Sequence, residues 1–223
     1  MRSALLRPDE VTIIDTWNTT GLAATGSNDY VVEDRFVAEE DSWDPAGPMS
    51  RSEPLYRYPP LFLVPHAGVP LGIARAAIDA VLELAGQKEA YPGAARTGRG
   101  PTVADEGQTQ EALAVAEATL GGTRAYTYAI VEELWAMLEA GQKVPPRMRA
   151  LYRIMMTHSH QQAKAVVGSM YDIAATSSIF RGNPLDRLMR DILTACQHRM
   201  VHPKIYRPAG RMLLGMESGD PLV

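Results

Sequence analysis

The sequence predicts a mainly α-helical protein, an antiparallel four-helix bundle preceded by the remnant of a β-domain. Three observations carry that prediction. Beyond residue 65, apolar residues recur at helical spacing through four long stretches. Glycine-punctuated, β-rich text is confined to the first 44 residues. A connector rich in proline separates the two, with Pro45, Pro48, Pro54, Pro59, Pro60 and Pro65. The expected division is therefore 1–60 for the partial β-domain and linker, and 61–223 for the bundle.

In chain order, VTIIDTW (11–17) reads as a short strand, GLAATGSND (21–29) as turn material, and YVVEDRFVAEED (30–41) as a loosely alternating strand. Two or three strands make no stable sheet of their own, so this part reads as a piece of a larger one. Residues 69–87 form an alanine-rich first helix, and 89–105 a loop bearing glycine and arginine. Residues 108–139 form a second helix, ~48 Å long if unbroken, with Gly121-Gly122 as an expected bend. The third helix spans 147–174, with Met148, Leu151, Met155, Val166, Met170 and Ile173 on one side.

The fourth stretch, 183–203, is expected to organise the bundle. Asn183 is a natural N-cap, Pro184 suits the first helical position, and Asp186 puts negative charge in the first turn. Leu185, Leu188, Met189, Ile192, Leu193, Cys196 and Met200 mark one apolar face. Arg187, Asp191, Thr194, His198 and His202 form a second stripe, and Pro203 stops the helix. Whether that second stripe meets water or a ligand is the functional question.

Composition bounds the function. The chain has 223 residues, 46% of them hydrophobic and 22% charged, with a net charge of −4. That gives no basic footprint for nucleic acid. A single cysteine, Cys196, excludes an internal disulfide and fits a reducing, cytoplasmic compartment. No uninterrupted apolar run is expected to cross a membrane, and no signal peptide is apparent.

Chemistry-bearing residues are few. His198 and His202 are four apart, as metal-binding pairs are, but Arg199 stands where the zinc-protease pattern needs glutamate, and no third ligand shows. No metal is expected. His158 and His160 should face different ways, with His158 on the apolar stripe as a core histidine. Arg124 falls on the stripe of Leu113, Leu120, Val131, Leu134 and Leu138, so it should be buried in an ion pair or aimed at a ligand. Thr176, Ser177 and Ser178 form a polar loop, a simple turn or a backbone cradle for phosphate. There is no Walker sequence, no GxSxG elbow and no paired-carboxylate signature.

Several of these pieces together resemble the C-terminal part of the acyl-CoA dehydrogenase superfamily. PLDRLMRD (184–191) resembles the "P-x-[EK]-[RK]-x-x-RD" opening of that fold's last bundle helix. TWNTTGLAATGSNDYVVEDRFV (16–37) resembles the last strands of its middle β-domain. The resemblance covers most of this chain but only about the second half of a family member. It implies that Arg99, Gln110, Asp172, Thr176, Ser177 and Ser178 touch the flavin of a neighbouring subunit, although the family's loop glycines are replaced by Ala175 to Ser178.

One departure selects a branch. The catalytic glutamate of many acyl-CoA dehydrogenases would fall at Arg199, and a guanidinium is no base near neutral pH. The ending ACQHRMVHPKIYRPAGRMLLG (195–215) instead resembles the two-component flavin monooxygenases of the same fold. That resemblance implies His198 as catalytic base or hydrogen-bond donor. It also implies reduced flavin, FAD or FMN, delivered by a separate reductase, and hydroxylation of a small aromatic substrate. A dimer or tetramer through the bundle is expected, with flavin held weakly or not at all by the isolated chain. Two other functions stay open: an acyl thioester dehydrogenase with another base, and a non-catalytic or split-gene assembly partner.

Overall fold

Hydrophobic spacing becomes packing around one helix in the computed structural model, which describes residues 2–45, 47, 51–90 and 101–220. Two antiparallel ribbons come first. β1 (Ser3–Ala4) pairs with β4 (Ser42–Trp43), and β2 (Thr12–Ile14) pairs with β3 (Asp29–Val31), Ile13 standing opposite Tyr30. The strands are shorter than the sequence suggests, and Ile13, Tyr30 and Phe36 lie exposed. A short helix, α1 (Pro54–Arg57), leads into α2 (Pro65–Ala85), α3 (Gly107–Glu139), α4 (Pro146–Ala174), α5 (Pro184–Ala195) and α6 (Tyr206–Leu213).

Apolar residues on facing helices set the directions. Near one end, Ile78 and Val81 of α2, Ala116 and Leu120 of α3, Val167 and Met170 of α4, and Leu185 of α5 share a core. Near the other, Ala67, Leu134 and Leu138 meet Met148, Tyr152 and Met155. Thus α2 and α4 run one way and α3 and α5 the other, as an up-down bundle requires. α4 is the helix the rest pack on, with both cores and the α6 contact at Ala150, Ala209 and Met212 along its length. The expected organiser, the fourth stretch, is one of its neighbours.

Pro59–Ala85 is long and apolar enough to cross a membrane, contrary to the sequence expectation. Its Ala74, Ala77, Ile78 and Val81 are fully buried inside the bundle, while Phe62, Val69 and Leu82 are exposed.

Three details depart from the sequence reading. α3 runs unbroken through Gly121-Gly122. Arg124 is exposed, with its guanidinium 5.4 Å from the centre of the Tyr128 ring, so it is neither a buried ion pair nor a contact inside the bundle. The buried face of α3 is carried by Thr123 and Thr127 between Leu120 and Ile130, each threonine hydroxyl donating to the carbonyl four residues back. Counting apolar residues alone shifts that stripe onto Arg124. The buried arginine is Arg153 of α4, which donates Nη2 to the Met200 carbonyl at 2.8 Å.

Candidate functional site

α5 forms as its sequence dictates. The Asn183 side chain accepts from the Leu185 N–H at 2.9 Å, and Leu185, Leu188 and Ile192 are buried. The helix ends at Ala195, however, a full two turns before Pro203. Cys196 caps it, and the chain goes on in turns, with the amides of Gln197, His198 and Val201 bonding three residues back. Arg153, buried beneath, takes the carbonyl of Met200, which holds this turn region on α4. His198 and His202 therefore do not form a helical pair. His202 accepts from the Lys204 N–H and caps the next short turn. Among the described residues no group of side chains could hold a metal ion.

The second stripe of α5 meets the β2–β3 loop. The Leu22 N–H donates to Asp191 Oδ1 at 2.7 Å, and Arg190 donates to the Thr20 carbonyl. Gly21 lies so close that a Cβ there would stand 2.1 Å from the Arg190 carbonyl oxygen. The loop is braced internally. The Asn28 side chain accepts from the Thr16 and Trp17 amides, and the Trp17 indole donates to the Leu22 carbonyl.

This docking closes one wall of a cleft of about 490 Å³ between the loop and the bundle, lined by Trp17, Leu22, His66, Val69, His160 and His198. Among the described residues its lining is mostly apolar and carries no aspartate, glutamate, lysine or arginine. The His66 and His198 rings stack with centroids 4.5 Å apart. Burial, then the neighbouring His198, holds the His66 imidazole below its ordinary pKa. Burial does the same to His160, against a raising hydrogen bond from its Nδ1 to the Met156 carbonyl at 2.9 Å. On His198, Nδ1 accepts from the Met200 N–H at 3.3 Å, so the neutral ring keeps Nε2–H as its free donor.

The other sequence-predicted site residues lie elsewhere. Arg99 falls outside the described residues. Gln110 sits at the start of α3, its side-chain amide donating to the Ala104 carbonyl. Asp172 and Thr176 are exposed, and Ser177 is half-buried. Ser178 is buried and donates to the Ala175 carbonyl at 2.6 Å. Lys88 ties this loop down through the Ala174 carbonyl. Gln110 and 172–178 thus occupy one end of the bundle, whereas His198 lies beside His160 near the middle of α4, about 20 Å away along that helix. One copy of the chain does not bring them together.

His66 and His160 are the site residues that sequence reasoning missed. His66 carries no motif. His160 was legible in principle, because it shares helical spacing with Met156, Ala163 and Val167, all buried. The sequence reading put His158 in the core instead; His158 is half-buried, edge-on to Tyr126.

The helical bundle matches the acyl-CoA dehydrogenase C-terminal fold that the sequence resembles. The acyl-CoA dehydrogenase C-terminal domain family matches residues 64–203, and the chain belongs to that family. It is 34% identical to an indole-3-acetate monooxygenase of Pseudomonas putida over 97% of its own length and 54% of that protein's. It is 25% identical to the oxygenase subunit HsaA of a flavin-dependent monooxygenase of Rhodococcus jostii, over 99% and 59% of the two chains. The crystal structure of a 3-HSA hydroxylase from Rhodococcus sp. RHA1 superimposes with a TM-score of 0.86 at 25% identity, over all of this chain and 59% of that one. The chain spans just over half the length of these relatives.

Proposed function

We propose that this chain is the C-terminal segment of a flavin-dependent monooxygenase that hydroxylates a small aromatic substrate. The observation that carries the reading is the cleft beside His198, walled by a β-loop and floored by the bundle, in a chain similar to such monooxygenases along nearly its whole length. An acyl thioester dehydrogenase needs a carboxylate base. The cleft lining has none, and Arg199 points to no such role.

The cleft suits a flat ring system, with Trp17, Leu22 and Val69 as apolar walls. Among the described residues no cation lines it, so these residues do not hold the phosphates of FMN or FAD. Reduced flavin would supply the oxygen-activating chemistry, with the remainder of its cradle coming from protein outside this chain. His198 would donate through Nε2–H to a polar atom of the bound substrate or oxygen species, orienting it while the apolar walls exclude water. Gln110 and the 172–178 loop do not line the cleft in one copy. Their distance supports a role toward a neighbouring copy in a dimer or tetramer. A separate flavin reductase in the cytoplasm would complete the system.

The test is to co-express the chain with a polypeptide supplying the missing half, and to provide chemically reduced FMN or FAD, oxygen and an aromatic panel that includes indole-3-acetate. Hydroxylated product that depends on both halves is the expected result. Thioester oxidation, or no product with either flavin, would overturn the reading.

A further inference from the structure

His160 has a feature that the proposed reaction does not use. Its Nδ1 faces a carbonyl oxygen, that of Met156 at 2.9 Å, so Nδ1 must carry the ring's proton. The neutral ring then leaves Nε2 as a bare lone pair. Nδ1 is tied back to its own helix, which leaves Nε2 on the far side of the ring, and His160 lines the cleft. The residue is 2% exposed, and Nε2 has no hydrogen-bond partner among the described residues. Nε2 is not one of the sealed, partnerless side-chain atoms among the described residues, so it keeps access to the cleft that His160 lines and is free to accept from a molecule bound there.

We propose that His160 is a specificity-determining residue of the cleft, its Nε2 accepting a hydrogen bond from a ring N–H or O–H at the edge of a flat aromatic substrate. This rests on the reading of the cleft as a substrate site. The walls select a planar apolar body, while the floor acceptor selects a donor on it. Indoles and phenols carry such a donor; benzofuran and fluorobenzene have nearly the same shapes without it. His198 presents the complementary polarity, a donor at Nε2–H, so the two histidines set an acceptor and a donor in a mostly apolar lining that also carries Thr25, Ser27, His66, Thr194 and Gln197. A site built in this way penalises the analogue lacking the donor, because the floor acceptor is then desolvated and left unpaired.

The test measures binding of indole against benzofuran, and of phenol against fluorobenzene, to the full chain by titration calorimetry and by nitrogen-15 NMR of its histidine side chains. The expected result is about tenfold tighter binding of each donor-bearing ligand. Only those ligands should move the His160 Nε2 resonance toward the hydrogen-bonded position. His160→Phe keeps a flat ring and should bring each pair within twofold. If that variant fails to fold, the NMR response of the unaltered chain decides alone. Equal binding of indole and benzofuran, or no binding of any ligand, would overturn the proposal. So would displacement of indole by lumiflavin with the same His160 signal, because the acceptor would then belong to the flavin's own ring N–H. Donor-selective binding without hydroxylation by the restored assembly would sink the proposed reaction and leave His160's role standing. Equal turnover of donor-bearing and donor-free substrates would do the reverse.

Discussion

Gly21→Ala should detach the β2–β3 loop from α5 and open the cleft. The added Cβ would stand 2.1 Å from the Arg190 carbonyl oxygen and 2.7 Å from Thr194 Oγ1. The first neighbour is helix backbone, which cannot rotate away, so the loop must retreat by roughly 1 Å or more to reach ordinary contact distance. The Leu22–Asp191 hydrogen bond, 2.7 Å now, would then lengthen beyond any useful geometry. Overpacking costs about 1–3 kcal/mol, and losing a hydrogen bond to a charged acceptor adds about 1.5–3 kcal/mol. The two overlap, because the loop escapes one by giving up the other, so the expected loss is about 2–4 kcal/mol. Urea unfolding followed by Trp17 emission, with Trp43 and Trp135 replaced by phenylalanine, should show it directly. Circular dichroism at helix wavelengths should change far less, since α2 to α5 share cores that exclude the loop. A loss below about 0.5 kcal/mol, with indole binding in the cleft unchanged, would refute the docking argument.

Three further outcomes follow from particular residues. Ala175 holds φ 48° and ψ −133°, a conformation disfavoured for any side chain, so Ala175→Gly should stabilise the protein by about 1 kcal/mol in chemical denaturation; a loss of stability would contradict it. Burial keeps His66 and His160 below their unfolded pKa, so the unfolded chain binds more protons as pH falls through about 6.5. The melting temperature should therefore be flat above about pH 7 and drop from 6.5 toward 5, and a rise over that range would reverse the sign. Titration of the isolated chain with FMN and FAD should show no submicromolar binding, because among the described residues the cleft lining holds no cation for the phosphates.

The bundle was legible because its long helices keep their apolar period, and 108–139 and 147–174 fall within a residue of α3 and α4. Asn183 and Pro184 announced the start of α5 by local chemistry alone. Its end was not legible. Pro203 is a valid stop signal, but the buried Arg153 takes the Met200 carbonyl from 47 positions away in sequence, and a tertiary bond of that kind leaves no local trace. The cleft was half legible. His198 stood out in the resemblance to flavin monooxygenases, whereas His66 and His160 become site residues only when α2, α4 and the β2–β3 loop converge. The stripe of Asp191 and Thr194 was visible as a polar face, yet its partner, a loop some 170 positions earlier, is a property of the folded chain.

The most direct measurement of the central claim replaces His198 by alanine in the assembly restored with the missing half. Product and hydrogen peroxide are scored separately, with reduced flavin, oxygen and an aromatic substrate supplied. His198 lines the cleft without belonging to either core, so the fold should hold. The account predicts at least a roughly hundredfold fall in hydroxylation with peroxide release retained. His202→Ala, which removes only the cap on the Lys204 amide, should change the rate far less. Full hydroxylation by His198→Ala would remove the residue from the chemistry and contradict the account.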